Sequence, residues 1–179
     1  MKRGVLVAAI VAIAVLGAAG WWFVGRSRSG GALRPRAAEV AVRWRGKQNG
    51  AMRLPARLNW CPGMRRGILE AISGDSGIAV ILYERDSLTG VPHTVVSPEM
   101  AQPFPTPGAV VVLRWMRISP DTTVAGFRSQ SGLVRVTFRA GTGSGDFNVR
   151  MRSATNLDTL TLVGEFRDVP VVTTAAGCN

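Results

Sequence analysis

Gly74-Asp75-Ser76-Gly77 spells the tetrapeptide that surrounds the nucleophile of chymotrypsin-like serine proteases. For that chemistry a histidine must take the serine proton, and an acid must orient the histidine. Those enzymes present the three in the chain order His, Asp, Ser. Here the only histidine, His93, follows Ser76, and Ile78 stands where their next glycine would be. The flanking text, "ILEAISGDSGIAVILY", is two apolar runs joined by Gly, Asp and Ser, the composition of a β-hairpin. The tetrapeptide is therefore expected to be a turn.

Other chemistry is as thinly supplied. One histidine and two cysteines, Cys61 and Cys178, cannot build a zinc site of familiar spacing, and the C-x-x-C-H haem signature is absent. Glu70, Asp75, Glu84 and Asp86 form the densest acidic group and could offer oxygen ligands to calcium. A solvated hairpin rim is the plainer expectation. "GTGSGD", Gly141 to Asp146, lacks the phosphate-loop lysine and precedes a strand-like run, so it reads as a flexible turn. No catalytic, cofactor-binding or metal-binding residue is assigned, and no small-molecule substrate is evident.

Three segments would position whatever the chain does. Val5 to Gly25, "VLVAAIVAIAVLGAAGWWFVG", carries no charge over 21 residues. As a helix it would be about 31 Å long, close to the hydrocarbon thickness of a bilayer. Met1-Lys2-Arg3 and Gly17-Ala18-Ala19 would also suit a cleaved signal peptide. However, Trp21 and Trp22 extend the apolar run to spanning length and suit the headgroup interface. Residues 1–25 are therefore expected to be an uncleaved signal anchor. Its small residues, Ala8, Ala12, Gly17 and Gly20 among them, would allow close helix packing in lipid.

Residues 26–38 read as a basic linker rich in Gly, Ser and Pro. Of the net charge of +11, +2 falls in residues 1–25, +10 in residues 26–66 and −1 in residues 67–179. Arg26 and Arg28 would flank the membrane interface, and Arg34, Arg36, Arg43, Arg45 and Lys47 would face anionic headgroups or a partner subunit. Nucleic acid is not expected, since the basic residues sit beside an anchor without a recognition motif.

Residues 39–179 show period-two patterning. Val40, Val42 and Trp44 alternate with polar neighbours, and Met52, Leu54, Ala56, Leu58 and Trp60 continue it as one run. Trp44, Trp60 and Trp115 are expected in the core; among Arg43 and Arg45 an exposed Trp44 would instead anchor a partner. Further strand-length runs are separated by "SGDSG", "FPTPG", "SQSG", "AGTGSGD" and "ATNLD". The expected fold is all-β, an antiparallel sandwich or barrel-like domain behind one transmembrane helix.

Topology rests on conflicting rules. The Lys and Arg excess after the span argues for a cytoplasmic domain, whereas the signal-anchor pattern argues for export. A Cys61–Cys178 bridge, worth about 4–5 kcal/mol in the chain-entropy model, would need an oxidising compartment. It tips the expectation towards a domain in the periplasm, on the inner membrane.

In outline, "MKRGVLVAAIVAIAVLGAAGWWFVG" followed by a strand-rich domain resembles the single-span accessory subunits of bacterial photosynthetic reaction-centre–light-harvesting complexes. The resemblance is one of architecture and carries no functional residue across. It implies a non-enzymatic subunit that braces other integral membrane subunits without binding pigment or haem. The alternative is a free-standing tethered domain of the periplasm that binds a ligand or serves envelope adhesion.

Overall fold

A computed structural model describes residues 34–84, 90–100, 103, 105–117 and 123–173. The expected anchor, Trp21, Trp22, Arg26, Arg28, Asp86 and Cys178 lie outside the described residues. Residues 33–179 form one compact unit.

The unit is all-β. Among the described residues its ten strands are β1 (Glu39–Gly46), β2 (Gly50–Pro55), β3 (Arg57–Cys61), β4 (Arg66–Ser73) and β5 (Ser76–Tyr83), then β6 (His93–Val95), β7 (Gly108–Arg117), β8 (Thr123–Arg139), β9 (Thr142–Ser153) and β10 (Thr159–Val172). One 3-10 turn, Pro62–Met64, separates β3 from β4. No described helix is long and apolar enough to cross a membrane.

The strands join one mixed sheet in the order β2-β1-β10-β3-β4-β5-β7-β6-β8-β9, with β9 also paired to β10 and β7 to β8. Following neighbours from β3 through β4, β5, β7, β8, β9 and β10 returns to β3, so the ladders form a closed circuit. The expectation of a purely antiparallel sheet is corrected at two places. β6 runs parallel to β7, and the end of β10 runs parallel to β3. Adjacent parallel strands need a connection that brings the chain back to its starting end. Residues 96–107 do so between β6 and β7.

Alternation explains the strands. In β10, Leu160, Leu162 and Phe166 face inward while Thr159, Thr161 and Glu165 face solvent. The same period places Val149 and Met151 of β9 and Val40, Val42 and Trp44 of β1 in a single apolar core. At roughly 1.5–3 kcal/mol for each fully buried large side chain, this core is the main source of stability. Trp44, Trp60 and Trp115 are all buried, as their alternation indicates.

The strand limits differ from expectation in three places. "MRLPARLNW" is two strands that part at Ala56, whose N–H bonds the Ala38 carbonyl at 2.8 Å. "SQSG" does not end β8. The strand absorbs it as a bulge between Ser129 and Ser131, with Gly132 at φ +140°. "GTGSGD" is strand apart from its first glycine, the turn being Ala140-Gly141. Its Gly145 lies opposite Phe166, and Gly164 lies opposite Phe147. A Cβ on Gly145 would run into the Arg135 carbonyl of β8 and sit 2.8 Å from the Phe166 ring, and one on Gly164 would run into the Phe147 ring. These glycines make room for a neighbouring strand's backbone and for aromatic rings rather than for a turn.

Candidate ligand cavity and basic face

Gly74 and Asp75 form the tight turn between β4 and β5, with Ser73 paired to Ser76. His93 Nε2 lies 2.8 Å from Glu84 Oε1, and both side chains are buried. Ser76 and Glu84 stand at opposite ends of β5, about 26 Å apart at ~3.3 Å per residue. The serine and the histidine of the protease-like reading are therefore not brought together.

The remaining acids disperse as well. Glu70 accepts from Arg57 at 2.9 Å, and Asp75 lies 3.8 Å from Arg114. Among the described residues no group of three metal-ligating side chains forms. Cys61 is held in a disulfide. Tyr83 has its phenol raised above the usual value by burial, with Arg66 opposing.

Two polar clips hold the short strand β6. Glu84–His93 is one. Ser129 is the other: its buried hydroxyl donates to the Val96 carbonyl at 2.6 Å and accepts from Val111 N–H at 3.1 Å. They sit where β8 leaves β7 and β6 fills the fork.

Away from that fork, Trp44 of β1, Trp115 of β7 and Phe127 of β8 stack in series. Their centroids are 4.7 and 5.0 Å apart, and the Trp115 and Phe127 planes are only 7° from parallel. Trp44 lies against Gly50, its partner on β2, where a Cβ would collide with the indole. Trp44 Nε1 is buried without a partner among the described residues.

Trp115 and Phe127 form the floor of a cavity of about 240 Å³. Its rim comes from two hairpin loops. The β1–β2 loop contributes Lys47 and Gln48, and the β9–β10 loop contributes Thr155, Asn156 and Asp158. The second loop is internally braced. Ser153 Oγ accepts from the Thr155 and Asn156 amides, Asn156 Oδ1 accepts from Asp158 N–H at 2.8 Å, and Ser153 N–H bonds the Asp158 carbonyl. Lys47 Nζ bridges the loops to Asp158 at 3.6 Å. Sequence reasoning assigned Lys47 to a lipid- or partner-facing segment and missed this cavity, because its lining comes from four separated stretches.

The basic residues also sort differently from their order in sequence. Arg34, Arg36, Arg45 and Lys47 are exposed, Arg43 is half-buried, and Arg53 lies 3.6 Å from Glu39. Strand register sets Arg45 beside Thr161, Thr161 beside Arg150, and Arg150 beside Ser131. One step along, Arg152 lies directly opposite Arg128. All face solvent. Arg128 contacts Glu99 at 3.3 Å, whereas Arg45 and Arg150 have no ion pair to a described carboxylate. The Glu99 carboxyl is held below its usual value, first by the Ser97 hydroxyl and then by Arg128. Charge counted in blocks made residues 67–179 look neutral, yet Arg128, Arg150 and Arg152 belong to one positive face. The alternation in "VRMR" was the available signal.

Comparison with family models, curated proteins and solved structures gave no match.

Proposed function

We propose that the chain is a membrane-anchored, non-enzymatic accessory subunit whose barrel-like body docks on an acidic surface of a larger inner-membrane complex. The observation that carries this reading is the convergence of Arg45, Arg128, Arg150 and Arg152 on one solvent-facing side of β1, β8, β9 and β10. Their backbone positions fall within roughly 14 by 7 Å, given ~4.8 Å between strands and ~3.4 Å per residue. Like charges directly opposite one another destabilise a sheet. An anionic partner would relieve that cost, and Arg is well suited to pairing with carboxylates.

The uncharged Val5–Gly25 segment supports an anchor, and the disulfide at Cys61 supports an oxidising compartment such as the periplasm. Under the architectural resemblance, the complex would be a photosynthetic reaction-centre–antenna assembly. The second reading, a free-standing tethered ligand-binding domain, is favoured by the cavity over Trp115 and Phe127.

Purification of the native chain in mild detergent tests the proposal. Co-migration with other membrane subunits, lost as ionic strength rises and lost in Arg150→Glu/Arg152→Glu, is the expected result. A lone monomer, or an attachment indifferent to salt and to both substitutions, overturns the docking face.

A further inference from the structure

The geometry points to the cavity over Trp115 and Phe127 as a binding site for a single neutral sugar ring. This rests on the ligand-binding reading and does not depend on the arginine face.

Size is the first argument. About 240 Å³ of open space has room for one compact ring, with the remainder of a longer ligand left outside in solvent. Shape is the second. Phe127 ends the Trp44–Trp115–Phe127 series at the cavity, and Val124 and Leu160 add apolar walls beside it. A pyranose can set its C–H face against the ring that ends such a series while its hydroxyls stay at the edge.

Charge is the third argument and narrows the class. The rim carries one cation and one anion, Lys47 and Asp158, already paired at 3.6 Å. A cationic ligand would meet the ammonium, and an anionic one the carboxylate. A wholly apolar ligand would strip water from both without replacing its hydrogen bonds, which is costly. Gln48, Asn156, Thr155 and Thr159 supply groups that both donate and accept. A ring bearing several hydroxyls, each a donor and an acceptor, matches that mixture. The hydrogen bonds within the β9–β10 loop hold this side of the rim in place before a ligand arrives, which lowers the ordering cost of binding.

The source of the ring is either a free monosaccharide or the end of a neutral glycan, and the test separates them. The ¹⁵N-labelled full chain, in a detergent without a sugar headgroup, is titrated with glucose, with N-acetylglucosamine and with a short N-acetylglucosamine oligomer. Saturable shifts at the Trp115 indole and the amides of residues 155–159 are expected. Equal affinity for monomer and oligomer identifies a free sugar; tighter binding of the oligomer identifies a glycan end. Val124→Trp, which fills the cavity from an exposed position, should abolish the shifts. Asp158→Ala should weaken binding about tenfold or more, the effect of one charge-assisted hydrogen bond, and serves alone if Val124→Trp does not fold. The site is overturned by absence of saturable shifts with all three sugars, by shifts centred on Arg128 and Arg152, or by binding unchanged in either folded variant. Such a failure leaves co-migration with membrane subunits untouched, so the two proposals fail separately.

Discussion

The fork at β6 and the cavity rim between the β1–β2 and β9–β10 loops use similar residue types to opposite ends. At the fork, Glu84, His93 and Ser129 are buried, and their bonds tie β6 to the end of β5, to β7 and to β8. At the rim, Lys47, Gln48, Asn156 and Asp158 line open space above an aromatic floor. A buried polar group that loses its partner costs the fold its full desolvation penalty, whereas an exposed one has water in reserve. Polar chemistry therefore serves structure at the fork and, under the sugar-site proposal, recognition at the rim.

Substitution should separate the two regions sharply. His93→Ala removes a fully buried ring together with its hydrogen bond to Glu84, and is expected to cost about 3 kcal/mol or more in denaturant unfolding. A loss below about 1 kcal/mol would mean that the pair does not hold the fork. Ser129→Ala leaves the Val111 N–H and the Val96 carbonyl short of a partner and should cost about 2 kcal/mol. Hydrogen exchange should then accelerate in β6 before it does in β9 or β10. At the rim and on the basic face, stability should barely respond. Arg152→Gln relieves the opposition with Arg128 and should raise stability by a few tenths of a kcal/mol, roughly the size of a cross-strand charge term. A clear destabilisation would show that Arg152 is a structural residue.

The smallest effect concerns pH. Glu99 is depressed in the folded chain, so its bonds to Ser97 and Arg128 contribute above the ordinary carboxylate range and disappear as pH falls through the lowered value. The group is exposed, so the change should be read from its carboxyl NMR titration, with a midpoint below that of a free glutamate. A normal midpoint would remove Glu99 as the local counter-charge of the arginine face.

How much was legible varied with how local each feature is. The β4–β5 hairpin could be read from residues 66–83 alone, since Gly74-Asp75 between alternating apolar runs has few other uses. The core tryptophans could be read because period two needs only near neighbours in sequence. Gly145 of β9 could not, because what crowds it, the Arg135 carbonyl on β8 and the Phe166 ring on β10, comes from two other strands. The arginine face and the cavity were hidden for the same reason. Arg45 and Arg150 meet across Thr161, and Trp115 meets Phe127 across a ladder.

The order of residues by itself determined that this domain would be built of strands, where its tightest hairpin would turn and which side chains would leave water. Side-chain direction along a strand repeats every two residues, and hydrophobic burial depends on residue type. Only the tertiary structure decided that the sheet would be mixed, that its circuit would close through the end of β10, and that scattered arginines and rings would become one face and one cavity. Those are matters of register between distant strands, and register is set by packing across the whole sheet.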